Sequence, residues 1–211
     1  MTKRQLARAG SAKYAIHGPN EILRPAVLRD GRAVYEFIRC NPHWGGVSSC
    51  DQGRHIGEVL TDEFLTRLVE REGTCILYTH LGKIDDPEVP FNKRAVTAFR
   101  RLAEEFCTGR ILGTTTQRLL EYRRAVRETG WTITQDANHD HIAVQTQSDD
   151  NISRRLCEAD LAGLTFYVSD PSIISMSIDG RAVVHLGSNG PDHTGRRSVS
   201  LPWLTLEFPS I

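Results

Sequence analysis

The periodicity of this sequence changes at Gly130, and no other feature constrains the fold as much. Before it, apolar residues recur at helical spacing in three stretches, each preceded by a side chain able to cap a helix. Thr61 stands before Phe64, Leu65, Leu68 and Val69, with Asp62 and Glu63 in the first turn. Asn92 stands before Ala95, Val96, Phe99, Leu102, Ala103 and Phe106, and Thr114-Thr115-Thr116 before Leu119, Leu120, Tyr122 and Val126. Gly73, Gly109 and Gly130 are placed to end these helices. Residues 33–38, 75–79 and 110–113 are short apolar runs and read as strands. Residues 33–130 thus read β-loop-α-β-loop-α-β-α, the signature of a parallel α/β layer, while residues 1–30 read as loop with a short helix at the start.

After Trp131 the runs 131–135, 141–147, 164–168, 174–178, 182–186 and 198–208 all read as strands, with one brief helix at 151–161. Asp179-Gly180 between two alternating runs is a hairpin signal, and Asn189-Gly190-Pro191-Asp192 is a turn. The expected fold class is α/β followed by all-β. Residues 1–130 form a partial (β/α) barrel, and residues 131–211 an antiparallel, β-sandwich-like module.

Composition excludes several functions. In 211 residues, 26 Lys and Arg balance 26 Asp and Glu, so no basic excess invites nucleic acid. The five cysteines are scattered, with no Cys-x-x-Cys pair, which argues against a disulfide framework and a zinc knuckle. Reduced, mostly buried thiols in the cytoplasm are the default expectation. No run is long enough to span a membrane, and the basic N-terminus is not followed by the apolar stretch of a secretory signal. Gly-x-Ser-x-Gly and Gly-rich phosphate loops are absent.

Among candidate residues, His80 is the sharpest. It closes the run Cys75-Ile76-Leu77-Tyr78-Thr79, at the point where a barrel strand would deliver a side chain to the C-terminal rim. The plainer alternative is a histidine that caps a strand edge. Arg39, Asn41, His43 and Trp44 occupy another loop that such a rim would gather. Arginine suits an anion and tryptophan a sugar face, the alternative being ordinary loop packing. His139 and His141 alternate on one strand face and could share a metal ion, or form only the lip of a hairpin.

The residues Leu77-Tyr78-Thr79-His80, the following helix, and Gly109-Arg110-Ile111-Leu112-Gly113-Thr114-Thr115-Thr116-Gln117-Arg118-Leu119-Leu120 resemble the closing part of the polysaccharide deacetylase (NodB-homology) domain. The resemblance covers roughly residues 33–122. It implies a deformed (β/α) barrel in which metal-activated water hydrolyses the N-acetyl group of a glycan. His80 would protonate the departing amine and Leu77 would line the acetyl pocket. The resemblance also implies a divalent metal, usually zinc. The family's Asp-Asp and His-x-x-x-His metal motifs have no match here, so the expected protein is incomplete or inactive as this chain alone. The rival expectation is a non-catalytic carbohydrate-binding or interaction protein, presenting Tyr167 or Trp203.

Overall fold

A computed structural model describes residues 5–6, 9, 22–37, 52–84, 86–136, 138–147 and 156–203. Two compact units result, one of Met1–Arg24 with Glu36–Gly113, the other of Pro25–Tyr35 with Thr114–Ile211.

Helices build the first unit. A 3₁₀ turn, Gly53–His55, leads into the short α1 (Ile56–Val59), followed by α2 (Asp62–Glu70) and α3 (Lys93–Cys107). The expected caps form: Thr61 Oγ1 accepts from the Phe64 amide at 3.2 Å, and Asn92 Oδ1 from the Ala95 amide at 2.9 Å. The apolar faces of these helices meet in a core of Ile56, Val59, Leu60, Phe64, Leu65, Ala95 and Ala98. The packing of α1 on α3 is close enough that a Cβ on Gly57 would lie 2.8 Å from the Arg94 carbonyl oxygen, so this crossing admits only glycine.

The expectation of an α/β barrel portion followed by an all-β module is corrected: the described residues form a mixed α/β arrangement with three separate sheets, and among them no barrel closes. Residues 75–79 and 110–113 are not strands. Instead of a ladder, the 75–80 stretch has isolated bridges at Leu77 and at His80, the latter parallel to Gln52, with the Gly53 amide donating to the His80 carbonyl at 3.3 Å. The physical reason is how its apolar side chains are used. Cys75 and Leu77 pack against the helical core, whereas a strand also needs a neighbouring backbone along its whole length. An apolar run announces burial but not the partner.

Two strands escaped the sequence reading, Leu23–Val27 and Gly187–Asn189, the latter just past the expected run 182–186, of which only residue 182 is strand. β1 (Leu23–Val27) pairs with β2 (Ala33–Phe37) in a two-stranded sheet, although Pro25 interrupts it. Proline is tolerated on an edge strand, and in a two-stranded sheet both strands are edges. Arg24 and Glu36 form an ion pair across it.

The second unit begins with α4 (Thr116–Arg127), capped by Thr115 Oγ1. Next come β3 (Thr129–Asp136) and β4 (His139–Thr146), an antiparallel pair in register from Thr129↔Thr146 to Asp136↔His139. A 3₁₀ turn (Glu158–Leu161) occupies part of the expected 151–161 helix; residues 151–155 lie outside the described residues. Five strands follow: β5 (Thr165–Tyr167), β6 (Ile174–Ile178), β7 (Arg181–Ala182), β8 (Gly187–Asn189) and β9 (Ser198–Ser200). One sheet has the order β3-β4-β6-β7, the other β5-β9-β8.

The module is not wholly antiparallel as expected, because β4 and β6 run parallel, with Ile142 opposite Met176 and Val144 opposite Ile178. A parallel pair needs a crossover, and here the connecting chain passes through β5. The Asp179-Gly180 hairpin forms as expected, with both residues at positive φ, 49° and 79°. The core joins Ile142, Val144, Met176 and Ile178 with Phe166 and Val199 of the other sheet and Ala125 of α4.

Buried Glu128, 5% exposed, follows α4. Arg124 Nε lies 3.2 and 3.1 Å from its two oxygens, and the Tyr35 hydroxyl also donates to it. Such compensation is what a buried charge requires.

Candidate functional site

His80 sits half-buried after the extended segment. Its Nε2 is 3.0 Å from the Tyr78 hydroxyl, and the two rings meet edge-on with centroids 5.0 Å apart. The side-chain Oε1 of Gln52, the residue bridged to His80, is buried with no hydrogen-bond partner among the described residues; such an acceptor costs free energy until a donor reaches it. Leu77 packs on the helical core. Arg39, Asn41, His43 and Trp44 lie outside the described residues. A cleft of about 460 Å³ in this unit is lined by Gly57, Glu58, Lys93, Arg94, Thr97 and Arg101, and His80 is not part of it.

His139 and His141 do share a face, and both turn to serine hydroxyls of β6. His139 Nε2 is 2.7 Å and His141 Nδ1 2.8 Å from Ser175 Oγ, while His141 Nε2 is 2.9 Å from Ser177 Oγ. These bonds follow from the parallel register, which sets His141 opposite Ser175 on the face away from the core. Among the described residues no group of three or more His, Cys, Asp or Glu side chains could hold a metal ion. The described residues therefore do not supply the ligand set that the resemblance implies for zinc.

The second unit also holds a cleft of about 450 Å³, where β3, β4, β5 and β6 meet the loop before β9. Its polar lining is Gln135, Asp140, Tyr167, Ser169, Arg196 and Arg197, and its apolar lining includes Ile133, Val168 and Ile174. Asp192 organises the rim. Its Oδ1 accepts from Thr194 Oγ1 at 2.6 Å, from the Thr194 amide at 2.8 Å and from the Arg196 amide at 3.1 Å, while Oδ2 accepts from the Tyr167 hydroxyl at 2.7 Å.

Hydrogen bonds from the Thr194 hydroxyl and then from Tyr167 hold the Asp192 carboxyl well below the usual carboxylate range. The same bond to Asp192, helped by partial burial, raises the Tyr167 phenol. With this loop held in place, the Arg196 guanidinium lies 3.6 Å from the centroid of the Tyr167 ring. Neither Arg196 nor Arg197 is in an ion pair among the described residues. Arg197 is close enough to Asp170 to add to the effect of Ser172, whose hydroxyl and amide bonds keep that carboxyl below its usual range.

Sequence reading passed over this cleft because it saw residues 189–192 only as a turn. The signal available was Arg196-Arg197 directly before a strand, next to a turn rich in Gly, Pro and Asp. Of the two aromatics expected to be presented, Tyr167 is 46% exposed at the cleft. Trp203 instead packs against Gly163, Tyr122 and Arg118.

Two of the three described cysteines, Cys107 and Cys157, are exposed and Cys75 is half-buried, which corrects the expectation of buried thiols; none of the three is in a disulfide. No described helix is long and apolar enough to cross a membrane. Comparison with family models, curated proteins and solved structures found no match.

Proposed function

We propose that the chain is a polysaccharide deacetylase-like protein of carbohydrate metabolism, in which His80 hands a proton to the departing amine of an N-acetylated glycan. In that reaction water adds its oxygen to the acetyl carbon, the carbon–nitrogen bond breaks, and the imidazolium of His80 gives its proton to the sugar nitrogen. The proton that the water loses restores the imidazolium, so acetic acid and the free amine leave. The observation that carries the reading is His80 itself. It is half-exposed, ends Leu77-Tyr78-Thr79-His80, and is oriented by the Tyr78 hydroxyl at 3.0 Å. The chain contributes the proton donor; the described residues do not contribute the metal ligands.

Acetate release from N-acetylated chito-oligosaccharides, with and without added zinc, tests the reading. His80→Ala should lower the rate by roughly 10²- to 10⁴-fold, the usual contribution of a general acid. Equal rates would remove His80 from the chemistry, and no release by the unaltered chain would match the expectation of an incomplete or inactive protein and leave His80 without a catalytic role in this chain alone.

A second reading is a non-catalytic carbohydrate-binding protein, favoured by the cleft at which Tyr167 is exposed. It expects glycan binding that survives chelation of metals and drops with Tyr167→Ala.

A further inference from the structure

The cleft of the second unit also restricts which glycan it can take. Its volume of about 450 Å³ falls within the ~300–1,000 Å³ of small-molecule sites. Arg196 and Arg197 bring two positive charges that no ion pair neutralises among the described residues. Arg196 is held over Tyr167 by the Asp192 loop, so little freedom remains to be lost when it meets an anion. Asp140 lines the same cleft and is the counterweight. Asp192 and Asp170 stand at the edge of the same cleft, beside Tyr167 and Arg197, so positive charge is confined to the two guanidiniums and suits a carboxylate seated on them rather than a compact dianion. Asp140 and Gln135 accept hydrogen bonds from hydroxyls, and Ile133 provides an apolar surface for a ring face.

We infer that this cleft binds an acidic sugar, with Arg196 and Arg197 on a carboxylate of the sugar and Asp140 and Gln135 on the ring hydroxyls. The inference rests on the carbohydrate-binding reading for the nature of the ligand and does not involve His80. A guanidinium and a carboxylate make charge-assisted, often bidentate hydrogen bonds, whereas an uncharged sugar would leave both arginines unanswered.

Calorimetric titration of the whole chain with trigalacturonate, its carboxyl-reduced counterpart and inorganic phosphate tests it. Trigalacturonate should bind saturably. The reduced trisaccharide and phosphate should bind at least about tenfold more weakly, and Arg197→Gln should weaken trigalacturonate by about tenfold or more. The control Arg181→Gln, on exposed β7 outside the cleft, should change nothing, and thermal melts of both variants should match the parent. Equal binding of acid and reduced sugar would overturn the carboxylate assignment while leaving carbohydrate binding in place. Phosphate as tight as trigalacturonate would reduce the cleft to a general anion site and overturn the sugar assignment. If neither sugar binds, both the inference and the reading beneath it fail.

Discussion

The two units bury apolar surface by opposite means. In the first, helices supply the core, and the extended segment 75–79 leans on them through Cys75 and Leu77. In the second, β4 and β6 supply Ile142, Val144, Met176 and Ile178, and those strands also exchange backbone bonds in a ladder. Segments of the same length and similar character, 75–79 and Ile174–Ile178, therefore differ in kind. One is held at isolated bridges, at Leu77 and at His80, the other in a ladder along its whole length. An extended run becomes a strand when a neighbour offers donors and acceptors in step with it. The two candidate sites inherit this difference. His80 follows a segment held at isolated bridges, whereas the cleft arginines precede β9, which is paired on both sides.

Substitutions can break this comparison. The largest effect is expected at Gly163, whose φ is +93° and whose added Cβ would lie 2.4 Å from the Trp203 ring. Gly163→Ala should cost about 3–5 kcal/mol, combining left-handed strain with overpacking, as read by urea unfolding of the second unit's signal. Ile142→Ala, at a fully buried ladder position, should cost about 3–4 kcal/mol. Leu77→Ala should cost about half as much, because Leu77 is only partly buried against the helical core. Equal losses at these two positions would erase the distinction between a laddered and a leaning segment. Asn92→Ala, removing the cap of α3, should cost about 1 kcal/mol.

The smallest effect sharpens the comparison through pH. The Asp192 carboxyl is depressed by Thr194 and then Tyr167, so its contribution is complete above the unfolded value of about 3.9 and is lost as pH falls through the lower folded value. Tyr167 is raised, first by its bond to Asp192, so its contribution is complete below about 10 and is lost as pH rises through the higher folded value. The amide resonances of Thr194 and Arg196 should therefore hold steady between those limits. In Asp192→Asn, the phenol absorbance of Tyr167 should titrate closer to its ordinary value.

Local chemistry was legible in the sequence, and choice of partner was not. The caps at Thr61, Asn92 and Thr115 follow from an oxygen-bearing side chain set before a helical apolar pattern. The Asp179-Gly180 hairpin follows from two residues that tolerate positive φ. The parallel pairing of β4 with β6, the pairing of β1 despite Pro25 and the isolated bridges at Leu77 and His80 all depend on residues distant in the chain. Hydrophobic period does not specify them. The same holds for the sites. His80 stood out because its run ends abruptly at a loop. Arg196 and Arg197 acquire their meaning only when strand pairing brings Gln135 and Asp140 to the same cleft.

Asp179 ties this geometry to the order in which the chain must assemble. Its carboxylate accepts from the Thr146 amide at 2.9 Å and from the Thr146 hydroxyl at 2.7 Å, and its own amide donates to the Val144 carbonyl at 2.9 Å. The tip of the β6–β7 hairpin thus fastens the far end of β4 and fixes the register of the parallel pair. A one-residue slip would exchange the Met176 and Ser175 faces. Each hairpin can close locally, but the fastening must wait until some thirty intervening residues have been looped back, and non-local closure of this sort slows folding. The Asp179 clasp is therefore a late step in refolding, and Asp179→Ala would leave both hairpins able to form while loosening the register between them.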